Sequence, residues 1–87
     1  MPEQFGDADF TPACEAHDSC YETCGREKSD CDSQFLGHLR DACRNGYSGW
    51  WQAPGREACN VVAETYALAV RRLGGDAYRA AQRASHC

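Results

Sequence analysis

Seven cysteines in 87 residues (Cys14, Cys20, Cys24, Cys31, Cys43, Cys59 and Cys87) constrain this chain more than any other feature. A chain of this length buries a thin core and usually needs staples, a metal or a partner to hold it. Such cysteine density belongs to an oxidising compartment, so a secreted, periplasmic or otherwise extracytoplasmic protein is expected. Each native bridge contributes ~2–4 kcal/mol. Because seven is odd, one thiol is left free, bonded to another molecule, or paired with a cysteine beyond this segment.

Charge removes some functions. Nine Lys and Arg against 13 Asp and Glu give a net charge of -4. Nucleic-acid binding leans on excess cationic side chains to neutralise phosphates, and this chain has the opposite balance. No apolar run approaches the length a bilayer requires. After Met1 come Pro2, Glu3 and Gln4, without the basic and then apolar stretch of a leader. An exported chain starting here is expected to be a mature form or one module of a larger polypeptide, with residues 1–87 forming a single domain.

The patterning predicts helices joined by short loops. Residues 1–10 (MPEQFGDADF) show no period and are expected to form an irregular arm. Thr11-Pro12 starts a first helix, with Thr able to cap and Pro tolerated in the first turn. That helix is expected to reach Cys24 and stop at Gly25. Ser29 caps a second helix over Asp30 to Arg44, in which Cys31, Phe35, Leu39 and Cys43 recur at helical spacing. Residues 45–55, dense in turn formers, carry Trp50 and Trp51. A third helix from Arg56 to Leu73 has Cys59, Val62, Ala63, Tyr66, Ala67 and Val70 on one stripe. Asp76 caps a fourth, Ala77 to Ser85. No β pattern is evident. The expected class is all-α, a small disulfide-linked bundle whose first two helices are antiparallel neighbours.

The chemistry concentrates in PACEAHDSCYETCG, residues 12–25. On a helix, Cys14, His17, Asp18 and Tyr21 share one surface, flanked by Cys20 and Cys24. The second helix returns past the first, so Asp32 near its start is placed to face His17. A histidine oriented by one carboxylate, beside a second carboxylate free to bind a cation, is a hydrolytic arrangement. Other roles compete for these residues. Cys14, His17 and Cys20 are zinc-ligand types, although the remaining cysteines lack zinc-ribbon spacing. Asp32 follows Ser29 by three, as a capping residue does. Glu64 is either a supporting acid or part of a solvated face. Trp50 and Trp51 suit a lipid interface or core packing.

These residues also carry a resemblance. ACEAHDSCY (Ala13 to Tyr21), followed by Cys31-Asp32, is similar to the active-site helices of the calcium-dependent secreted phospholipase A2 superfamily. HDSCYETCGREKSDCDSQF is most similar to its group XII-like and bacterial branches. DFTPACEAHD resembles the bacterial and fungal enzymes. ACNVVAETYALAVRRLG with AYRAAQRASHC is similar to the C-terminal helical region.

The resemblance implies His17 as general base, Asp32 as its orienting partner, Tyr21 as a support of their hydrogen bonds and Asp18 as the side-chain calcium ligand. It implies hydrolysis of the sn-2 ester of glycerophospholipids at a membrane or micelle surface, with calcium as cofactor. It also implies bridges Cys20–Cys31, Cys43–Cys59 and Cys24–Cys87, leaving Cys14 unpaired or bonded to a cysteine upstream. The family's calcium loop contains its own cysteine and glycines, whereas residues 1–13 hold no cysteine and only Gly6. The loop is therefore expected to be cut away or to belong to a preceding segment. If so, the rival expectation is a non-catalytic module that binds lipid or a protein partner. An exported effector or toxin is the biological setting this branch suggests.

Overall fold

The computed structural model describes residues 3–87. Its order is a two-stranded hairpin, β1 (Gln4–Phe5) and β2 (Ala8–Asp9), then α1 (Thr11–Glu22), α2 (Lys28–Gly46), a 3-10 turn (Trp50–Gln52), α3 (Ala53–Leu73) and α4 (Gly75–Ala84). The helical class is as expected. The molecule is an elongated bundle of 48 × 19 × 19 Å. Among the described residues, no helix is long and apolar enough to cross a membrane.

The expected irregular arm is instead ordered. Gln4 pairs with Asp9 and Phe5 with Ala8, around a turn in which Gly6 adopts φ 56°. That left-handed conformation is costly for residues with a Cβ. Two strand residues on either side of a turn are too few for an alternating pattern to declare itself. The burial that fixes this hairpin is tertiary: Ala8 and Phe10 are fully buried, and the Tyr47 hydroxyl of the α2 exit donates to the Phe5 carbonyl at 3.1 Å. Met1 and Pro2 of the expected arm lie outside the described residues.

Helix ends moved for identifiable reasons. α1 takes Phe10 as its N-cap, and the Asp9 carboxylate, not Thr11, accepts the Thr11 N–H at 2.9 Å. It ends at Glu22, and Gly25, at φ 84°, lies in the connection beyond. α2 begins two residues before Asp30, with Glu27 at the cap position and no side-chain cap from Ser29. α3 starts at Ala53, three residues before the expected Arg56, with Pro54 in its first turn. α4 starts at Gly75, which leaves Asp76 in its first turn, paired with Arg79.

The core lies where α1, α2 and α3 meet. Phe10, Phe35 and Leu39 are buried with Cys43, Cys59 and Ala63. On α3 the fully covered residues are small: Cys59, Ala63 and Ala67. Small side chains let its backbone approach α2 closely, while Tyr66 meets Phe10 edge-on with ring centres 5.7 Å apart. Three disulfides join the pieces: Cys20–Cys31 links α1 to α2, Cys43–Cys59 links α2 to α3, and Cys24–Cys87 returns the C-terminus to the end of α1. Cys14 is free. Polar contacts dock α4 as well, with Gln82 Nε2 donating to the carbonyls of Tyr21 and Thr23, and the Tyr78 hydroxyl donating to that of Arg26.

Candidate active site

His17 and Tyr21 stand one turn apart on the inner face of α1, and Asp32 lies in the early part of α2 opposite them. The Cys20–Cys31 bond, immediately beside them, holds the two helices in register. Asp32 is 1% exposed and His17 8%. His17 Nε2 is 2.8 Å from Asp32 Oδ1, and the Tyr21 hydroxyl donates to the same oxygen at 2.6 Å. Asp32 Oδ2 accepts from Lys28 Nζ at 2.6 Å. The His17 ring packs against Tyr21 and Phe35, with ring centres 4.1 and 4.6 Å away.

Burial by itself pushes a carboxyl pKa up. At Asp32, hydrogen bonds from His17, Lys28 and Tyr21, together with the Lys28 charge, outweigh that and hold it below the ordinary carboxylate value. Asp32 is therefore an acceptor only, so His17 Nε2 carries the hydrogen between them, and in the neutral ring the lone pair sits on Nδ1. Burial and the Asp32 hydrogen bond raise the Tyr21 phenol well above its usual range, which keeps it a donor. The arrangement is an oriented imidazole with one nitrogen available as a base.

A cleft of about 210 Å³ opens at this point, lined by Cys14, His17, Asp18, Tyr21, Phe35 and, from the α3–α4 corner, Val70, Gly74 and Ala77. Gly74 permits that corner to close in: a Cβ there would stand 2.9 Å from the Tyr21 hydroxyl. A larger groove of about 520 Å³ between the hairpin, α1 and α2 contains neither His17 nor Asp32. His17, Asp18 and Tyr21 all line the smaller cleft. Burial first, and then the charges of Glu3, Asp18 and Asp9, raise the Cys14 pKa, so this thiol is held neutral and is a poor nucleophile.

Asp18 lies on the exposed side of α1 and lines the same cleft. Calcium requires six to eight oxygen ligands. Asp18 supplies at most two, and its neighbours in the cleft, Cys14 and His17, are sulfur and nitrogen donors. Among the described residues, no group of three or more His, Cys, Asp or Glu side chains is placed to hold a metal ion. These residues alone do not fit a calcium site. Zinc on Cys14, His17 and Cys20 is also disfavoured, since Cys20 is in a disulfide and His17 Nε2 is engaged by Asp32.

The other candidates fall away from the cleft. Trp50 and Trp51 are 85% and 68% exposed at the far end of α3, so neither is a core residue. Glu64 pairs with Arg40 at 2.9 Å on an exposed face. Lys28 is not among the residues expected at the site, although its position four residues before Asp32 on one helix is a signal for pairing. The cleft wall from Val70, Gly74 and Ala77 had no local signal at all.

Residues 3–87 match the family described as group XII secretory phospholipase A2 precursor. The chain is 37% identical over 76 residues to the group XIIA secretory phospholipases A2 of Mus musculus and of Homo sapiens. Each match covers 87% of this chain and 40% of the relative, so the chain spans less than half the length of the proteins it matches. No solved structure matches it.

Proposed function

The chain belongs to the group XII secretory phospholipase A2 family, and from that premise we propose that it is the catalytic segment of a phospholipase A2 acting on the sn-2 ester of glycerophospholipids. One observation carries the reading: His17 Nε2 and the Tyr21 hydroxyl converge on one oxygen of a buried Asp32 at the base of a cleft. Asp32 fixes the tautomer. The free Nδ1 of His17 then takes a proton from water as that water attacks the ester carbonyl, and Asp32 stabilises the imidazolium that forms. The same proton is returned to the departing alkoxide, giving lysophospholipid and fatty acid. Val70, Phe35 and Ala77 supply apolar surface for the substrate beside the base. Three disulfides support a place outside the cytoplasm.

Calcium dependence is part of this proposal, with Asp18 as the carboxylate the chain contributes. The remaining oxygen ligands would come from outside the described residues, and none of the proton transfers above runs through the ion. The incomplete donor set also favours a second reading, a phospholipase-like module that binds lipid without turnover. Fatty-acid release from phospholipid–detergent mixed micelles, by this segment and by a longer chain containing it, separates the two. Release that rises with added calcium and stops on chelation supports the enzyme. Micelle binding without release, in both proteins, supports the module.

Membrane contact is assigned to Trp50 and Trp51, whose rings suit the headgroup region. Roughly 25 Å of helix separates them from the cleft, so both reach one surface only if the bundle lies along it. The double substitution Trp50→Ala/Trp51→Ala is expected to weaken binding to phosphatidylcholine vesicles about tenfold, some 1.4 kcal/mol. Hydrolysis of a monomeric short-chain phospholipid should be unchanged. Unaltered vesicle sedimentation would remove the pair from the interface.

A further inference from the structure

We infer that Lys28 is a positioning residue of the dyad: it fixes the Asp32 carboxylate from behind and locks it to the wall of the cleft. The inference rests on the hydrolytic reading of the site and deepens it. Lys28 Nζ donates to Asp32 Oδ2 at 2.6 Å, to the Val70 carbonyl at 2.9 Å and to the Arg71 carbonyl at 3.1 Å. An ammonium has three N–H donors, and all three are used. The two carbonyls belong to the last turn of α3, at the negative end of its dipole, and the Val70 carbonyl also accepts the Gly74 N–H at 2.8 Å. A cation is thus held between a helix C-terminus and a buried carboxylate.

The consequence for Asp32 follows from its two oxygens. Oδ1 serves His17 and Tyr21, while among the described residues Oδ2 has Lys28 alone. Without Lys28, Oδ2 is buried and unsatisfied, and the carboxylate either turns about its own side chain or takes a proton. Either change loosens the bond that selects the His17 tautomer. Val70 contributes a side chain to the cleft as well as its carbonyl to Lys28. One ammonium therefore sets the spacing between the base and the substrate wall.

No other lysine or arginine among the described residues pairs with Asp32. The groups facing it are His17 and Tyr21 from α1 and Lys28 from α2. From α3 come only the two backbone carbonyls, and from α4 Tyr78 stands edge-on behind Tyr21. Lys28 itself does not line the cleft. Its loss should therefore act on turnover more than on substrate binding.

Three variants test this. Lys28→Met removes charge and donors, Lys28→Gln removes the charge and keeps N–H donors, and Lys28→Arg keeps both. Asp32 is followed by its carboxyl carbon signal in NMR titrations of folded protein, and turnover by fatty-acid release from mixed micelles. In the Met and Gln variants the Asp32 midpoint should rise by about one unit or more. Their kcat should fall about tenfold or more, with a smaller change in KM, and Lys28→Arg should restore the Asp32 midpoint and kcat. A residue that merely ties α2 to α3 would lower thermal stability without moving the Asp32 midpoint. An unmoved midpoint in both uncharged variants overturns the inference, as does an equal loss of kcat in the Arg variant. If neither this segment nor the longer chain containing it releases fatty acid, the hydrolytic reading fails, and the Asp32 titration alone decides whether Lys28 positions the carboxylate.

Discussion

Replacing His17 by glutamine is expected to lower fatty-acid release by ~10²–10⁴-fold, the range that a positioned general base contributes. Glutamine is the informative choice because its amide N–H can still donate toward Asp32. The side chain also remains about the right size to sit against Tyr21 and Phe35, which flank the present ring. What it lacks is a lone pair able to take a proton from water. Initial rates at saturating micellar substrate should therefore collapse while the thermal midpoint stays near that of the wild type. A variant that retains its rate would place the base elsewhere.

Replacing Asp32 by asparagine is expected to cost both activity and stability. The loss of activity should again be ~10²–10⁴-fold, since a neutral amide neither enforces the Nε2–H tautomer nor stabilises an imidazolium. The loss of stability comes from Lys28. Its ammonium, 22% exposed, would lose its counter-ion and face two helix-terminal carbonyls alone. Breaking a buried pair from one side costs roughly 3–5 kcal/mol, and each kcal/mol moves the midpoint of a domain this size by about 4–8 °C.

The deficit should depend on pH in a definite direction. Asp32 is depressed in the folded state, so its contribution is complete above the unfolded carboxyl value of about 3.9 and is lost as pH falls through the lower folded value. Thermal unfolding of wild type and variant should therefore differ most above pH ~5 and converge in strong acid. A gap that persists undiminished at low pH would separate the stability loss from the Asp32 charge.

Much of this architecture is legible in the residues. Phe35, Leu39 and Cys43 on one helix and Cys59, Ala63 and Ala67 on another declare buried helical faces by spacing alone, because a helix repeats every 3.6 residues whatever surrounds it. His17 and Tyr21 are likewise one turn apart on a single element. Asp32 is reachable because the connection between α1 and α2 is short.

What could not be read is what depends on distant partners. The α3 carbonyls held by Lys28 lie 42 and 43 positions away in sequence. The hairpin before α1 exists because Phe10 and Ala8 are buried against later helices, a tertiary effect that two-residue strands do not advertise. α1 starts at Thr11 as expected but with Asp9 rather than Thr11 taking its first N–H, and α2 starts two residues early with no side-chain cap. Local propensity fixes such boundaries only loosely.

The central claim is that His17, oriented by Asp32, activates water toward one ester of a phospholipid. Its most direct test uses a phosphatidylcholine with different acyl chains at sn-1 and sn-2, in calcium-containing mixed micelles, with products identified by mass spectrometry. The longer chain containing this segment and its His17→Gln counterpart are compared. The sn-2 fatty acid and its lysophospholipid are expected from the first, in equal amounts, and neither from the second. Release of the sn-1 acid, or of the sn-2 acid at the same rate from both proteins, would contradict it.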